Sequence, residues 1–272
     1  MKKISIVTSY YNRREQFYRT LKSIEKSSLV DQVEVIVTDD CSSEQHKIND
    51  FETAFKFPVK IIEVTPNNRW YINPCVPFNM AIKQAIGEII ILQNPECLHV
   101  GDILESIDKK LKVTDYLTIG CYSVDQQTTS KLSEIDFNSD FDEVYYEILA
   151  KISPMQNRSM MEGQNSWYNH STYRPNAYHF VSAIHRKNMD ELGGFDERYA
   201  HGIGFDDDEL LERIKKLGLN IKYSDSPFAI HQWHYSENNF FAKAVNPMSA
   251  FAKNQKIFNE NTKTQKTWKV NQ

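Results

Sequence analysis

The chain has 272 residues, 40% of them hydrophobic and 25% charged, with 32 Lys and Arg against 36 Asp and Glu and a formal net charge of −4. That is enough apolar material for one large domain, or a core domain with an extension. The mild acidity excludes the basic footprint of a nucleic-acid binder.

Taken in chain order, Ile4 to Val7 reads as a buried strand, and Glu15 to Lys26 as a helix with Phe17, Leu21 and Ile24 on one face. Val33 to Thr38 is a second strand, Ser43 to Phe55 a helix with Ser43 as its N-cap, and Val59 to Val64 a third strand. A helix over Pro77 to Ile86 stops at Gly87, and Glu88 to Leu92 is the fourth strand. Gly101 to Leu111 is helical and Tyr116 to Val124 is the fifth strand. This alternation predicts a mostly parallel sheet flanked by helices, with ligands bound beyond the carboxyl ends of its strands. The middle differs: Ser123 to Ser139 is polar, Asp140 to Lys151 reads as an acidic amphipathic helix, and Ser153 to Asn176 is aperiodic and rich in aromatics. Strand character returns at Tyr178 to Arg186, and a helix at Asp206 to Leu217 is closed by Gly218. Short strands at Ile221 to Tyr223 and Phe228 to Ile230 follow, then a tail from Asn238 whose phenylalanines suit a helix packed back on the core.

The strand ends carry the chemistry. Thr8, Tyr10, Asn12 and Arg13, at the end of the first strand, bring a hydroxyl, a ring and a cation that suit a base and a phosphate, although the stretch reads equally as an ordinary strand-to-helix link. Asp39 and Asp40 end the second strand as adjacent acids, each disfavouring ionisation of the other. One can cap the next helix, and the other suits a nucleobase N–H. Asn94-Pro95-Glu96 places an amide oxygen and a carboxylate where a hard cation is reached from one side, although Asn-Pro also reads as a turn. Gly193-Gly194-Phe195-Asp196-Glu197 and then Gly202 to Leu210 bring four consecutive acids, Asp206 to Glu209, to the start of a helix. Helix-dipole complementarity accounts for one or two of them, and a carboxylate facing a cavity accounts for another. His231 and His234 flank Gln232-Trp233 at a strand end, a pattern that suits a metal or a sugar.

Together, from Ile4 to His234, these positions resemble the inverting family-two glycosyltransferases of the GT-A fold. The resemblance implies uracil binding at Thr8, Tyr10 and Asp40 with Asp39, and places Asn79 in the segment where relatives carry Ala-Arg-Asn. Asn94-Pro95-Glu96 stands where a D-x-D motif holds metal and diphosphate, and His231 matches the histidine that completes the metal site. The stretch from Gly193 to Arg213 is similar to the acceptor-side G-W-G-x-E-D-x-[DE]-L motif of the galactosyltransferase and chondroitin-polymerase-like branches. On that motif Gly204 is the second glycine, Asp206 stands for the Glu and Asp207 for the catalytic base. The second acid of the D-x-D is one methylene longer here and its first is an amide; the E-D pair has shortened to Asp206-Asp207.

The expected protein is then a transferase that moves a sugar from a nucleotide-sugar donor, a UDP-sugar, onto a glycan or other hydroxyl acceptor with Mn²⁺ or Mg²⁺ on the diphosphate. Residues 1–100 would form the nucleotide-binding half, 101–235 the acceptor half, and 236–272 a helical extension. Trp167, Tyr168, Gly204, Asp208 and His234 are the expected acceptor or sugar contacts. Two alternatives stand: a nucleotidyltransferase, which would want a glycine in the loop after the first strand, and a non-catalytic or metal-independent carbohydrate-binding protein. Cys41, Cys75, Cys97 and Cys121 form no C-x-x-C pair and read as free thiols of a reducing compartment. Met1 to Val7 lacks a signal-peptide core, and no window approaches the ~18 apolar residues of a membrane span, so a cytoplasmic protein is expected, with peripheral membrane attachment as the variant.

Overall fold

Short runs of Ile and Val build one sheet whose two faces are read off alternate residues. In the computed structural model, residues 3–135, 147, 150, 165–234, 246–262 and 270–271 are described. Strands β1 (Ile4–Tyr10), β2 (Val33–Asp40), β3 (Val59–Val64) and β4 (Ile89–Gln93) lie parallel in the order β3-β2-β1-β4. Ile4, Ile6, Val35, Val37, Ile89 and Ile91 face helix α1 (Arg14–Ile24), which buries Phe17, Leu21 and Ile24 against them. Val7, Ile36, Ile90 and Leu92 face helix α2 (Cys75–Gln84) and its Phe78 and Ala81. The period of two divides the strands between two cores, and each such side chain contributes about 1.5–3 kcal/mol when fully buried.

The sheet continues through β8 (Val181–His185), antiparallel to β4, then β6 (Asp115–Ser123), β9 (Asn220–His231) and β5 (Cys97–Val100), with β7 (Ser166–Asn169) paired to β6. Strands β1 to β4, β6 and β9 run one way and β5, β7 and β8 the other. Among the described residues the further named helices are α3 (Ile103–Lys110), α4 (Gln126–Leu132), α5 (Arg186–Leu192), α6 (Asp206–Lys216) and α7 (Pro247–Thr262). The expected mostly parallel sheet flanked by helices is therefore what the chain forms.

Several expectations are corrected. The region Ser43 to Phe55 is two 3₁₀ segments, Glu44–His46 and Asn49–Thr53, broken by extended backbone at Lys47. The break buries Ile48 completely and carries Lys47 Nζ to 3.2 Å from Asp39 Oδ2, which a continuous helix would not do. The two short strands after Leu219 are one strand, β9, whose register against β6 slips between Ile119 and Cys121. Gly120 sits at the slip, where a Cβ would lie 3.1 Å from the Asp225 Cα. Strands β5 and β7 and helices α4 and α5 were not expected. The helix expected over Asp140 to Lys151 lies outside the described residues except at 147 and 150, as does the aperiodic stretch up to residue 164.

The tail packs on the core through α7. Phe251 and Phe258 bring their rings 5.0 and 5.4 Å from that of Phe205, just before α6. Asn254, fully buried, donates through Nδ2 to the carbonyls of Tyr199 (3.1 Å) and Gly204 (2.9 Å). Gly202 is required beside it, because a Cβ there would meet Asn254 Oδ1 at 1.9 Å. All four cysteines are free thiols, and Cys75, Cys97 and Cys121 are buried. No described helix is long and apolar enough to cross a membrane.

Candidate active site

Sheet topology brings Glu96 to His231. Strand β5 runs antiparallel to β9 with Cys97 opposite His231, so the residue leading into β5 meets the one ending β9. Glu96 Oε1 lies 3.0 Å from His231 Nε2 and 3.8 Å from His234 Nε2, and Glu96 Oε2 accepts from Arg13 Nη1 at 2.7 Å. All but Arg13 are buried. Burial pushes the Glu96 carboxyl toward its neutral form, yet Arg13, the His231 hydrogen bond and the two imidazoles hold it well below the usual range. Burial, reinforced by Arg13, keeps His234 well below the ordinary imidazole value, so it is neutral and has a lone pair to offer.

These three residues fit a divalent ion. Their ligand atoms lie within 4.8 Å of one another, and His231 Nδ1 is buried with no hydrogen bond among the described residues. One carboxylate with two imidazoles is a donor set that favours a transition metal such as Mn²⁺ over Mg²⁺. His234, expected as a sugar contact, thus lies with Glu96 and His231. The Asn94 N–H bonds the Phe180 carbonyl at 3.0 Å, while its side chain makes no hydrogen bond among the described residues.

The four acids of α6 separate into four environments. Glu209 is wholly buried and grips Arg213 through both oxygens at 2.6 and 2.7 Å, with Arg213 also donating to the carbonyls of Leu192 and Gly194. That pair holds the helix to the turn before it. Asp206 is buried and accepts from Asn73 Nδ2 at 3.0 Å; burial, then the charge of Asp207, raises its pKa to about 7. Asp208 accepts from the Tyr178 hydroxyl at 2.8 Å. Asp207, like Asp208, is half-exposed, with 37% of its side chain open, and its Oδ1 sits 2.9 Å from Nδ1 of buried His179. His179 is wedged between the edges of Phe78 and Phe195. Burial lowers its proton affinity, but Asp207, with a further contribution from Asp206, offsets this and the net shift is upward.

Residues 178 to 180 join the two clusters. Tyr178 holds Asp208, His179 holds Asp207, and Phe180 packs its ring 6.0 Å from His231 while its carbonyl takes the Asn94 N–H. Sequence reasoning missed this segment because it inspected where strands end. Strand β8 is antiparallel to β4, with Val181 opposite Gln93, so it is the approach to β8 that reaches the carboxyl edge.

The expected nucleotide residues are not all at the surface. Asp40 takes a bidentate pair from Arg69 (2.7 and 3.0 Å) and a bond from the Tyr71 hydroxyl. Asp39 accepts from the Ser42 N–H and from Lys47, which makes it the local cap of its loop. Asn12, at φ 49°, ties the first strand-end loop to the second through Ser42 and Ser43. Thr8 is buried, and its hydroxyl has no hydrogen bond among the described residues. Tyr10 turns its ring inward against Phe17 and donates to the His46 carbonyl, leaving no ring face at the surface. Asn79 is spent as a staple between α2 and the turn before α6: Nδ2 donates to Phe195 O and Glu197, and Oδ1 accepts from the Phe195 N–H.

Of the expected sugar contacts, Trp167 is buried between Tyr122, His170 and Phe228. Tyr168 is buried with its ring 4.8 Å from His231. Gly204, at φ 67°, has an open Cβ position whose nearest neighbour is Phe251 at 3.9 Å.

The model of the family described as glycosyl transferase family 2 matches residues 5–175, and that described as N-terminal domain of galactosyltransferase matches residues 165–235. The uncharacterized glycosyltransferase YfnE of Bacillus subtilis (strain 168) is 23% identical over 270 residues, covering 86% of this chain and 66% of its own. S. aureus TarS 1-349 in complex with UDP-GlcNAc superposes with a TM-score of 0.61 at 18% identity, over 94% of this chain and 65% of that one. The mannosyltransferase PcManGT from Pyrobaculum calidifontis, in complex with GDP-Man and Mn²⁺, gives 0.58 at 16% identity, over 98% and 66%. The fold is that of the GT-A glycosyltransferases. The chain spans about two thirds of the length of these relatives.

Proposed function

The chain belongs to glycosyl transferase family 2, and from that premise we propose that it transfers a sugar from a nucleotide-sugar donor, a UDP-sugar, to a hydroxyl acceptor with inversion. The observation that supports this most is the segment 178–180, which touches the Glu96–His231–His234 cluster on one side and the half-exposed Asp207 carboxylate on the other. A transferase needs both within one substrate's length: charge neutralisation at the leaving group and a base at the acceptor.

In this reading Asp207 takes the acceptor's proton as the hydroxyl oxygen attacks the anomeric carbon, and His179 fixes the carboxylate's orientation. Asp206, raised to about 7, donates or accepts according to its protonation and suits a second acceptor hydroxyl. Glu96, His231 and His234 would hold Mn²⁺, which when bound supplies charge stabilisation on the departing diphosphate. Arg13 neutralises the Glu96 oxygen turned toward it. Asp40 with Arg69 and Tyr71 is the proposed base-reading group, Asp39 and Asn12 shape its loop, and Asn94 faces the ribose or diphosphate. Residues 1–100 are the proposed donor half and 101–235 the acceptor half.

The deciding experiment is donor hydrolysis and transfer with a panel of UDP- and GDP-sugars, with Mn²⁺ and with EDTA. Mn²⁺-stimulated turnover that Glu96→Ala and His231→Ala both lose is the expected result. Turnover untouched by EDTA would favour a metal-independent variant, for which the Arg13–Glu96 pair already offers a cation. No turnover of any nucleotide sugar would sink the reading.

A further inference from the structure

Among the described residues three arginines are buried, Arg19, Arg174 and Arg213, and all but one of them have a hydrogen-bonded side chain. Arg213 is fully enclosed and makes two bonds to Glu209 and two to carbonyls. Arg19 donates through Nε to Gln232 Oε1 at 2.6 Å. Arg174 is only 7% exposed, yet its side chain has no hydrogen bond and no ion pair among the described residues. Its Cζ lies 5.7 Å from the ring centre of Tyr168, and a ring face is weak compensation for a desolvated cation. Burial lowers its proton affinity, and the only groups acting against that are the Tyr178 and Tyr168 hydroxyls and the Cys121 thiol.

The position is built. Arg174 closes the turn after β7 by exchanging backbone hydrogen bonds with His170 at 3.0 and 3.1 Å. Asp225 accepts from the Ser171 N–H, the Tyr223 hydroxyl donates to Pro175 O, and Asn169 accepts from the Ala177 N–H. Tyr168, under the guanidinium, also packs on His231, and Tyr178, beside it, holds Asp208. The unpaired cation therefore lies between the ion-binding cluster and the acids of α6.

We infer that Arg174 is an anion-binding residue of this site, whose planar donor fork takes a phosphate or carboxylate group brought by a substrate. Such a fork matches either oxyanion with two parallel hydrogen bonds. Two sources share the chemistry: the diphosphate of the donor and an acidic group on the acceptor. The inference rests on the nucleotide-sugar reading for the name of the substrate, not for the anion itself.

The test compares wild type with Arg174→Gln and Arg174→Lys by calorimetry, using UDP, uridine, inorganic pyrophosphate, glucuronate and glycerol phosphate, and records Tm without ligand. If the donor supplies the anion, Arg174→Gln weakens UDP at least about tenfold and leaves uridine unchanged, with Lys restoring part of the loss. If the acceptor supplies it, UDP binding is unchanged and glucuronate or glycerol phosphate binding to the UDP complex disappears. Either result supports the inference when Arg174→Gln also leaves the unliganded Tm level or raises it, which shows that the binding loss is not a loss of fold. Equal affinities for every probe in wild type and Arg174→Gln, or a lowered Tm with binding intact, would overturn it in favour of a structural cation. Wild type that binds neither UDP nor uridine would defeat the nucleotide reading alone; Arg174 is then judged on pyrophosphate, whose binding must be present in wild type and lost in Arg174→Gln.

Discussion

Asp207, half-exposed, differs from its three neighbours in being held by a histidine instead of by a neutral donor or a structural arginine. Asp207→Asn keeps the shape and loses the base, so the transfer rate should fall at least about 100-fold while UDP affinity stays level. A near-normal rate would move the role to Asp206. At the nucleotide end, Asp40→Ala should weaken UDP by about 1.5–3 kcal/mol, the scale of a hydrogen bond to a charged group. Because Asp40 already holds Arg69 in both oxygens, Arg69→Ala should cost nearly as much, and the double variant little more than either. Additive losses in calorimetry would show that the two residues read the nucleotide separately. Glu96, His231 and the α6 acids were legible in the sequence because they sit at strand exits or a helix start, where side chains have a known direction. His179, Arg69 and Arg174 were not, since a partner supplied by a turn far away in the chain leaves no local pattern.

At the scale of elements, α6 is fixed from two sides. Beneath it the Glu209–Arg213 pair is fully buried, and Glu209→Ala leaves that arginine's charge without its partner. A loss of about 3–5 kcal/mol in urea unfolding is expected, the cost of breaking a buried pair; under about 1 kcal/mol, the scale of an exposed pair, would show that the pair is not structural. Ahead of it, the loop from Tyr199 to Phe205 is held by α7. Asn254→Ala removes both bonds to its buried carbonyls and should cost about 1–3 kcal/mol. The same variant should lower kcat more than UDP affinity, because the loop leads into Asp206 and Asp207. Equal kcat would make α7 a cover with no hand in the site. The periodicity of α6 was plain in the sequence, but α4, α5, β5 and β7 are short elements whose existence depends on the sheet they join.

Across the whole molecule, stability carries the signature of the site. Asp206 binds its proton up to about pH 7 in the folded state, chiefly because it is buried and then because of Asp207, whereas an unfolded aspartate releases it near pH 4. Folded protein thus holds the extra proton between those values, and its stability falls as pH rises from about 4 to about 7. Asp206→Asn should remove that slope, raising Tm at pH 8 and leaving it nearly level at pH 4; a parallel shift at both would refute the assignment. The parallel half of the sheet followed from alternating Ile and Val runs. Its other half did not, because the register of β9 depends on a slip at Gly120 that no local pattern announces.

The clasp of α7 on the loop before α6 also sets an order of events during synthesis. Chain growth delivers the sheet, Glu96, His231 and all four acids before Asn254 and Phe251 exist. A nascent chain at that stage has Glu96 and His231 in place, while the loop that leads into Asp206 and Asp207 still lacks its fastening. In the proposed reading, competence to bind a nucleotide therefore precedes competence to use one, because the loop before the two acids is fastened only once α7 has been made.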